Sequence, residues 1–230
     1  MKRILLPIAL ILLSFLFSRQ GYHMATTLMK PASPVTVVID AGHGGNDPGK
    51  VGINNLLEKD INLKIAMYLK TYLKANDVRV VMTREKDESL STSTSNSKTS
   101  DLSNRKEIMF ENNPVVAISI HQNSYPSQSV HGAQVFYGQG HQNSKTLAEI
   151  LQKNLLDMDK SNHRKAKSNN SYYLFANNPY ATVIVECGFL SNPEEASWLN
   201  DSDYQKKIAW HLHLGIMQYI RNASNGTSTK

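Results

Sequence analysis

Four short runs of apolar, mostly β-branched residues place the strongest constraint on the fold of this 230-residue chain. They occupy residues 35–40, 78–83, 115–120 and 181–185. Runs of this length with little polar alternation are typical of strands buried on both faces of a parallel sheet. Amphipathic stretches with helical spacing lie between or after them, at residues 60–75, 144–158 and 204–220. The alternation predicts a single-domain α/β fold, with a mostly parallel twisted sheet and helices on both faces.

The predicted domain covers residues 35–221, and both ends of the chain are expected to lie outside it. Lys2 and Arg3 precede an apolar run from Ile4 to Phe17. This run is shorter than the ~20 residues that a membrane-spanning helix needs, but it is typical of a signal-peptide core. We therefore predict a signal peptide or an N-terminal membrane anchor at residues 1–21, a linker at 22–34 and a flexible polar tail at 222–230. Either form of the first segment predicts an exported, extracytoplasmic domain.

Composition excludes several classes of protein and leaves others open. The single cysteine, Cys187, excludes an intrachain disulfide framework and a cysteine-rich zinc module, and we interpret it as a packed residue. The net charge of +6 suits an anionic polymer without selecting one. The basic stretch at residues 164–167 is interpreted as a solvated turn, with a contact to wall polymer as the alternative. The Ser/Thr-rich stretch at 89–103 lacks apolar anchors and predicts a mobile surface loop.

Three of the predicted strands run directly into residues that carry chemistry. His43, His121 and Glu186 follow the runs at 35–40, 115–120 and 181–185. Because ligands bind at the carboxyl ends of parallel strands, we expect these side chains to converge. Glu58, just before the first long helix, can reach the same edge. Two imidazoles and one carboxylate form the open ligand set of catalytic zinc, and a further carboxylate can carry protons during hydrolysis.

The residues alone do not decide which glutamate binds metal. Glu186 lies in an apolar context, where an unpaired carboxylate is costly to bury, so it is hard to explain without a function. Glu58 is also explained by the preference of acidic residues for helix N-termini. Behind these groups, we expect Asp40 to orient the ring of His43.

Five ordered motifs resemble the zinc-dependent N-acetylmuramoyl-L-alanine amidases, a family of bacterial wall-lytic enzymes with a parallel α/β domain. The motifs are Val38-Ile-Asp-Ala-Gly-His-Gly-Gly-Asn-Asp-Pro-Gly49, Glu58-Lys-Asp-Ile-Asn-Leu63, Met82-Thr-Arg84, Ser119-Ile-His-Gln-Asn123 and Glu186-Cys-Gly-Phe-Leu-Ser-Asn192. With their spacers they span almost the whole predicted domain. The resemblance implies that His43, Glu58 and His121 bind Zn²⁺ and that Glu186 is the catalytic acid/base.

The same resemblance implies hydrolysis of the amide bond between N-acetylmuramic acid and L-alanine of peptidoglycan. The chain is particularly similar to amidases of spore-forming bacteria that remove stem peptides in the spore cortex before muramic lactam formation, in sporulation and germination. The implied substrate is peptidoglycan, not nucleic acid. Targeting of the enzyme then depends on the N-terminal segment, on the catalytic cleft, or on an activating or targeting partner protein. The N-terminal segment can associate with the membrane. A zinc peptidase or deacetylase acting on peptidoglycan and a non-catalytic wall-binding protein are the alternatives.

Overall fold

A six-stranded sheet organises the part of the chain that the computed structural model describes, residues 34–93 and 97–227. Its strands are β1 (Thr36–Ala41), β2 (Arg79–Met82), β3 (Val116–Asn123), β4 (Gln134–Tyr137), β5 (Lys167–Ser168) and β6 (Ala181–Phe189). The spatial order is β2-β1-β3-β6-β4-β5. The four strands predicted from the sequence, β1, β2, β3 and β6, are mutually parallel, whereas β4 runs antiparallel to β6. The predicted fold class, a mostly parallel α/β sheet, is confirmed.

Helices cover both faces of this sheet. They are α1 (Glu58–Lys74), α2 (Ser97–Glu111), α3 (Gln142–Met158), α4 (Pro193–Asn200) and α5 (Ser202–Thr227), with short 3₁₀ turns at Ile53–Asn55 and Tyr173–Phe175. Buried residues of α1, α3 and α5 pack with one face of the sheet in the larger apolar core. On the opposite face, Met109 of α2 packs in a smaller core with Leu174 and Phe175. The helix α5 continues past residue 221, where the predicted domain ends.

The predicted mobile loop at residues 89–103 is wrong from Ser97 onward, because α2 begins there. The residues that α2 buries are Arg105 and Met109, so its inner face lacks the apolar stripe that marks a helix in a sequence. The carboxylate of Asp101 accepts hydrogen bonds from the backbone of Leu90 and from the Arg105 side chain one turn later. Polar contacts thus stabilise a helix that periodicity does not predict.

The predicted N-terminal segment at 1–21 and all but the last residue of the linker at 22–34 lie outside the described residues. So do the last three residues of the predicted tail. Among the helices of the described part, none is long and apolar enough to cross a membrane.

Candidate active site

Two histidines and a glutamate meet at the carboxyl edge of the parallel strands. His43 follows β1, His121 lies near the end of β3, and Glu58 is the first residue of α1. Their potential ligand atoms all lie within 4.8 Å of one another. Oε1 of Glu58 is 3.2 Å from Nε2 of His43 and 2.9 Å from Nδ1 of His121. The structure therefore brings these three residues together in a cluster that could hold a metal ion, while their role as ligands stays a prediction.

Glycines allow the cluster to be this compact. A Cβ atom on Gly42 would lie 2.3 Å from the ring of His121. Gly49 has a φ of +69°, and a Cβ there would lie 2.6 Å from Oε2 of Glu58. His43 itself adopts a φ of 62°, in the left-handed region that L-residues with side chains rarely occupy. The glycine-rich motif is thus a steric requirement for packing backbone against the cluster.

Glu58 is held as a carboxylate. It is only 2% exposed, and it accepts hydrogen bonds from the backbone amides of Lys50 (2.8 Å) and Gln122 (3.1 Å). Burial raises the pKa of Glu58, but hydrogen bonds and charge from His121 and His43 outweigh it and hold the pKa well below its usual range. A buried anion between two imidazoles is chemically suited to bind a cation.

Asp47 orients the His43 ring, a role that we did not predict for it from the sequence. Its Oδ2 lies 2.7 Å from Nδ1 of His43, and its Oδ1 accepts a hydrogen bond from the Gly49 amide at 3.0 Å. Burial lowers the pKa of His43, but Glu58 and Asp47 raise it, and the net shift is upward. An imidazole that donates one N–H to a carboxylate presents its other nitrogen as a ligand. The sequence did contain a signal for this role, because Asp47 lies in the same motif as His43, four residues after it.

Asp40, which we expected to orient the His43 ring, is directed elsewhere. This buried carboxylate accepts hydrogen bonds from the hydroxyls of Thr83 and Ser119 and from Nη1 of Arg105, the last at 2.7 Å. Nη2 of Arg105 in turn donates to the backbone oxygen of His43 at 2.6 Å. The expectation is therefore corrected: Asp40 supports the backbone of His43 through Arg105, not the imidazole.

Glu186 lies beside the cluster on the neighbouring strand. It pairs in register with His121, and it is 8% exposed. Burial raises its pKa, and the electrostatic interaction with His121 only partly opposes that shift, so the net change is upward. The Tyr172 hydroxyl lies 3.4 Å from Oε1, in a position to donate to it, while Oε2 has no hydrogen-bond partner within the described chain. A buried carboxyl with one free oxygen is suited to exchange protons, and its catalytic role stays a prediction.

Tyr172 is held in place by aromatic packing that the sequence does not reveal. Its ring makes edge-on contacts with Phe136 of β4, at 5.7 Å between centroids, and with Phe175, at 5.6 Å.

Cys187, one residue after Glu186, is fully buried in the larger apolar core, where burial raises the pKa of the thiol. Its interpretation as a packed residue is confirmed.

The comparisons with known proteins agree with this geometry. A family model described as N-acetylmuramoyl-L-alanine amidase matches residues 37–218. The germination-specific N-acetylmuramoyl-L-alanine amidase of Bacillus subtilis is 37% identical over 194 residues, covering 83% of this chain and 81% of that protein. The CwlD amidase from Clostridioides difficile, solved in complex with the GerS lipoprotein, has a TM-score of 0.79 and 39% identity, covering 81% of this chain and 98% of that one. The catalytic domain of the amidase CwlV from Bacillus (Paenibacillus) polymyxa var. colistinus has a TM-score of 0.72 and 30% identity, covering 81% of this chain and 98% of that one. The chain therefore belongs to the N-acetylmuramoyl-L-alanine amidase family and is an enzyme of that activity.

Proposed function

We propose that this amidase is zinc-dependent, with His43, Glu58 and His121 as metal ligands and Glu186 as the acid/base. The observation that carries the proposal is the convergence of three donor side chains within 4.8 Å, with a fourth, buried carboxyl beside them. Two imidazoles and one carboxylate are a donor set of catalytic zinc sites, which keep one coordination position for substrate or water.

The donor set fits zinc in charge as well as in type. The hydrogen bonds and charges of His121 and His43 hold the pKa of Glu58 below its usual range, which favours the carboxylate, and Asp47 hydrogen-bonds the nitrogen of His43 that faces away from Glu58. Bound zinc supplies a Lewis acid for the amide carbonyl and for the attacking water. The protein contributes a preorganised, anionic cradle, so little rearrangement is needed on binding.

Proton transfer then falls to Glu186. Its Oε2 accepts no hydrogen bond from any described residue, so it can accept the proton of the attacking water and return it to the departing alanine nitrogen. Tyr172, as a donor to Oε1, fixes the orientation of the carboxyl and leaves Oε2 as the reacting oxygen.

The biological setting that we propose is the spore cortex, where removal of stem peptides precedes muramic lactam formation. The similarity to the germination-specific amidase of Bacillus subtilis supports this setting. The basic, apolar N-terminus supports export, with retention at the membrane as one form of it. The CwlD–GerS complex supports a partner protein that activates or targets the enzyme. Recovery of the full-length chain in the cytoplasm after cell fractionation would contradict the export.

The decisive experiment analyses what purified protein releases from purified peptidoglycan. Mass spectrometry should detect free stem peptides that begin with L-alanine, together with intact glycan strands. A peptidase would instead cut within the peptide, and a deacetylase would release acetate. A chelator should abolish release, and added zinc should restore it.

Metal analysis of the same preparation tests the ligand assignment. We expect one zinc per chain, lost in His43→Ala and in His121→Ala but retained in His211→Ala, a histidine of α5 used as the matched control. Full zinc retention in both cluster variants would refute the assignment.

A further inference from the structure

Arg164, part of the basic stretch that we interpreted as a solvated turn, is held rigidly in the structure. Its Nε donates to the backbone oxygen of His131 at 2.7 Å, and its Nη1 donates to Oε1 of Gln134 at 3.1 Å. The guanidinium lies over the ring of Phe189, with Cζ 4.7 Å from the centroid. A hydrogen bond from buried Asn162 to the backbone oxygen of Ala133 fastens the loop that carries Arg164.

This rigid cation has no anionic partner in the described part of the chain. Every ion pair that an arginine makes there within 4.0 Å belongs to Arg105. The Nη2 group of Arg164 makes no hydrogen bond to a described residue. An arginine fork that is held in place with free donors is preorganised to bind a carboxylate, because little side-chain entropy remains to be lost.

A surface cavity of about 370 Å³ opens beside the guanidinium. Its lining residues offer hydroxyl and imidazole groups and no carboxylate: Ser129, Val130, His131, Ser161, His163 and Arg164. Two acidic residues of this region, Asp159 and Glu195, do not line the cavity. Their oxygens accept hydrogen bonds from the backbone amides of Ser161, Gly132 and Phe189.

The strand register connects this cavity to the reaction centre. Glu186 of β6 pairs with His121 on one side and with Gln134 of β4 on the other. Paired residues on adjacent strands point to the same face, and strands are ~4.8 Å apart. Two strand spacings therefore separate Gln134 from His121 by about 10 Å, and the Gln134 side chain accepts a hydrogen bond from Arg164. An extended peptide advances about 3.3–3.6 Å per residue, so two to four residues span from the cluster to the cavity.

The chemistry of the substrate decides which of its parts fits a cation. The scissile amide consumes the lactyl carboxyl group, and N-acetylated sugars are uncharged. The stem peptide is attached through its N-terminus and therefore retains its C-terminal carboxylate and any acidic side chains. We propose that Arg164 and its cavity form a subsite that binds a carboxylate of the stem peptide, so that the peptide lies across Glu186 and Gln134. This inference rests on the proposed amidase function of the cluster.

The test compares two soluble muropeptide substrates, one with free stem-peptide carboxylates and one with these carboxylates converted to carboxamides. Arg164→Gln should raise KM about tenfold or more on the free substrate, because a charge-assisted hydrogen bond is lost, with kcat little changed. Wild-type enzyme should show a similar rise in KM on the carboxamide, and the variant should lose nothing further there. Arg164→Lys, which keeps the charge without the fork, should be intermediate.

Arg79→Gln is the matched control. Arg79 lies on β2 at the opposite edge of the sheet, where its side chain makes one hydrogen bond, to Asn112, and no ion pair with any described residue. It should not alter KM on either substrate. If Arg164→Gln raised KM equally on both substrates, the role of Arg164 would be structural and the inference would be overturned. Equal KM values of the active wild-type enzyme on the two substrates would overturn it as well. The comparison of wild-type KM values on the two substrates needs no variant, so it tests the inference even if Arg164→Gln fails to fold. If wild type cleaves neither substrate, the proposed function fails and the inference fails with it.

Discussion

Replacing Glu186 by glutamine separates proton transfer from metal binding. The change keeps size and shape, and the amide oxygen can still accept the hydrogen bond from Tyr172. Burial raises the pKa of Glu186, which means that the charged form is disfavoured at this 8% exposed site. A neutral amide is therefore no harder to bury. We expect Glu186→Gln to fold with unchanged or slightly higher thermal stability and with its full zinc content.

The expected loss lies in turnover. Removing a general acid/base lowers the rate by ~10²–10⁴-fold, which corresponds to about 3–5 kcal/mol of transition-state stabilisation. Because Glu186 makes no bond to the cluster residues, the loss should appear in kcat, with KM almost unchanged. Release of stem peptides from peptidoglycan, followed over time by mass spectrometry, measures it.

Two further variants complete the assay. Glu58→Gln should lose zinc as well as activity, because it replaces the anion between the two imidazoles by a neutral amide. Glu107→Gln changes an exposed glutamate of α2 and should affect neither quantity. Near wild-type release by Glu186→Gln would refute its role as acid/base. Loss of zinc in that variant would make Glu186 a metal ligand instead.

Three other predictions concern the groups around the cluster. Asp47→Asn should weaken zinc affinity ~10–100-fold in a competition titration, since the carboxylate that orients His43 is lost; unchanged affinity would contradict that role. Tyr172→Phe alone should lower kcat severalfold, but adding it to Glu186→Gln should lower kcat no further. Additive losses in the double variant would show that Tyr172 acts independently of Glu186. Asp40 is buried, which raises its pKa, but the charge of Arg105 together with hydrogen bonds from Ser119 and Thr83 and the interaction with His121 outweighs burial, and the pKa falls from 3.8 to about 2. The carboxylate therefore contributes about 2 kcal/mol of stability at neutral pH that is lost as pH falls from about 4 through 2. Urea unfolding at pH 7 and pH 3 should show that the free energy of unfolding falls less on acidification in Asp40→Asn than in wild type. An equal fall in both proteins would contradict this contribution of Asp40 to stability.

Local pattern in the sequence predicted the four parallel strands and three of the helices. Buried parallel strands need continuous apolar runs, and helices that cover them need apolar residues at helical spacing, so both signals are written in neighbouring residues. The helix α2 and the antiparallel strand β4 were not predicted. The inner face of α2 is built on Arg105, and β4 is short and gains its place by pairing with β6.

The residues of the candidate site were predicted because each follows a strand or begins a helix within a recognisable motif. The carboxyl ends of parallel strands share one edge, so His43, His121 and Glu186 had to be neighbours once the sheet was parallel. Tertiary structure decided the partner of Asp40, which it directed to Arg105, far along the chain. The partner of His43 is local, because Asp47 lies in the same motif four residues away.

The same division applies to Tyr172 and Arg164. Each is an ordinary polar residue in a loop by its local sequence, and each acquires a partner only when a distant strand is placed beside it. The hydroxyl of Tyr172 reaches Glu186, and the guanidinium of Arg164 is fixed by Gln134 and Phe189. The sequence predicted which residues carry the chemistry, because motif and periodicity are local. Packing between segments far apart in the chain decided how those residues are oriented and what surrounds them, because hydrogen bonds and aromatic contacts depend on distances that no local pattern encodes.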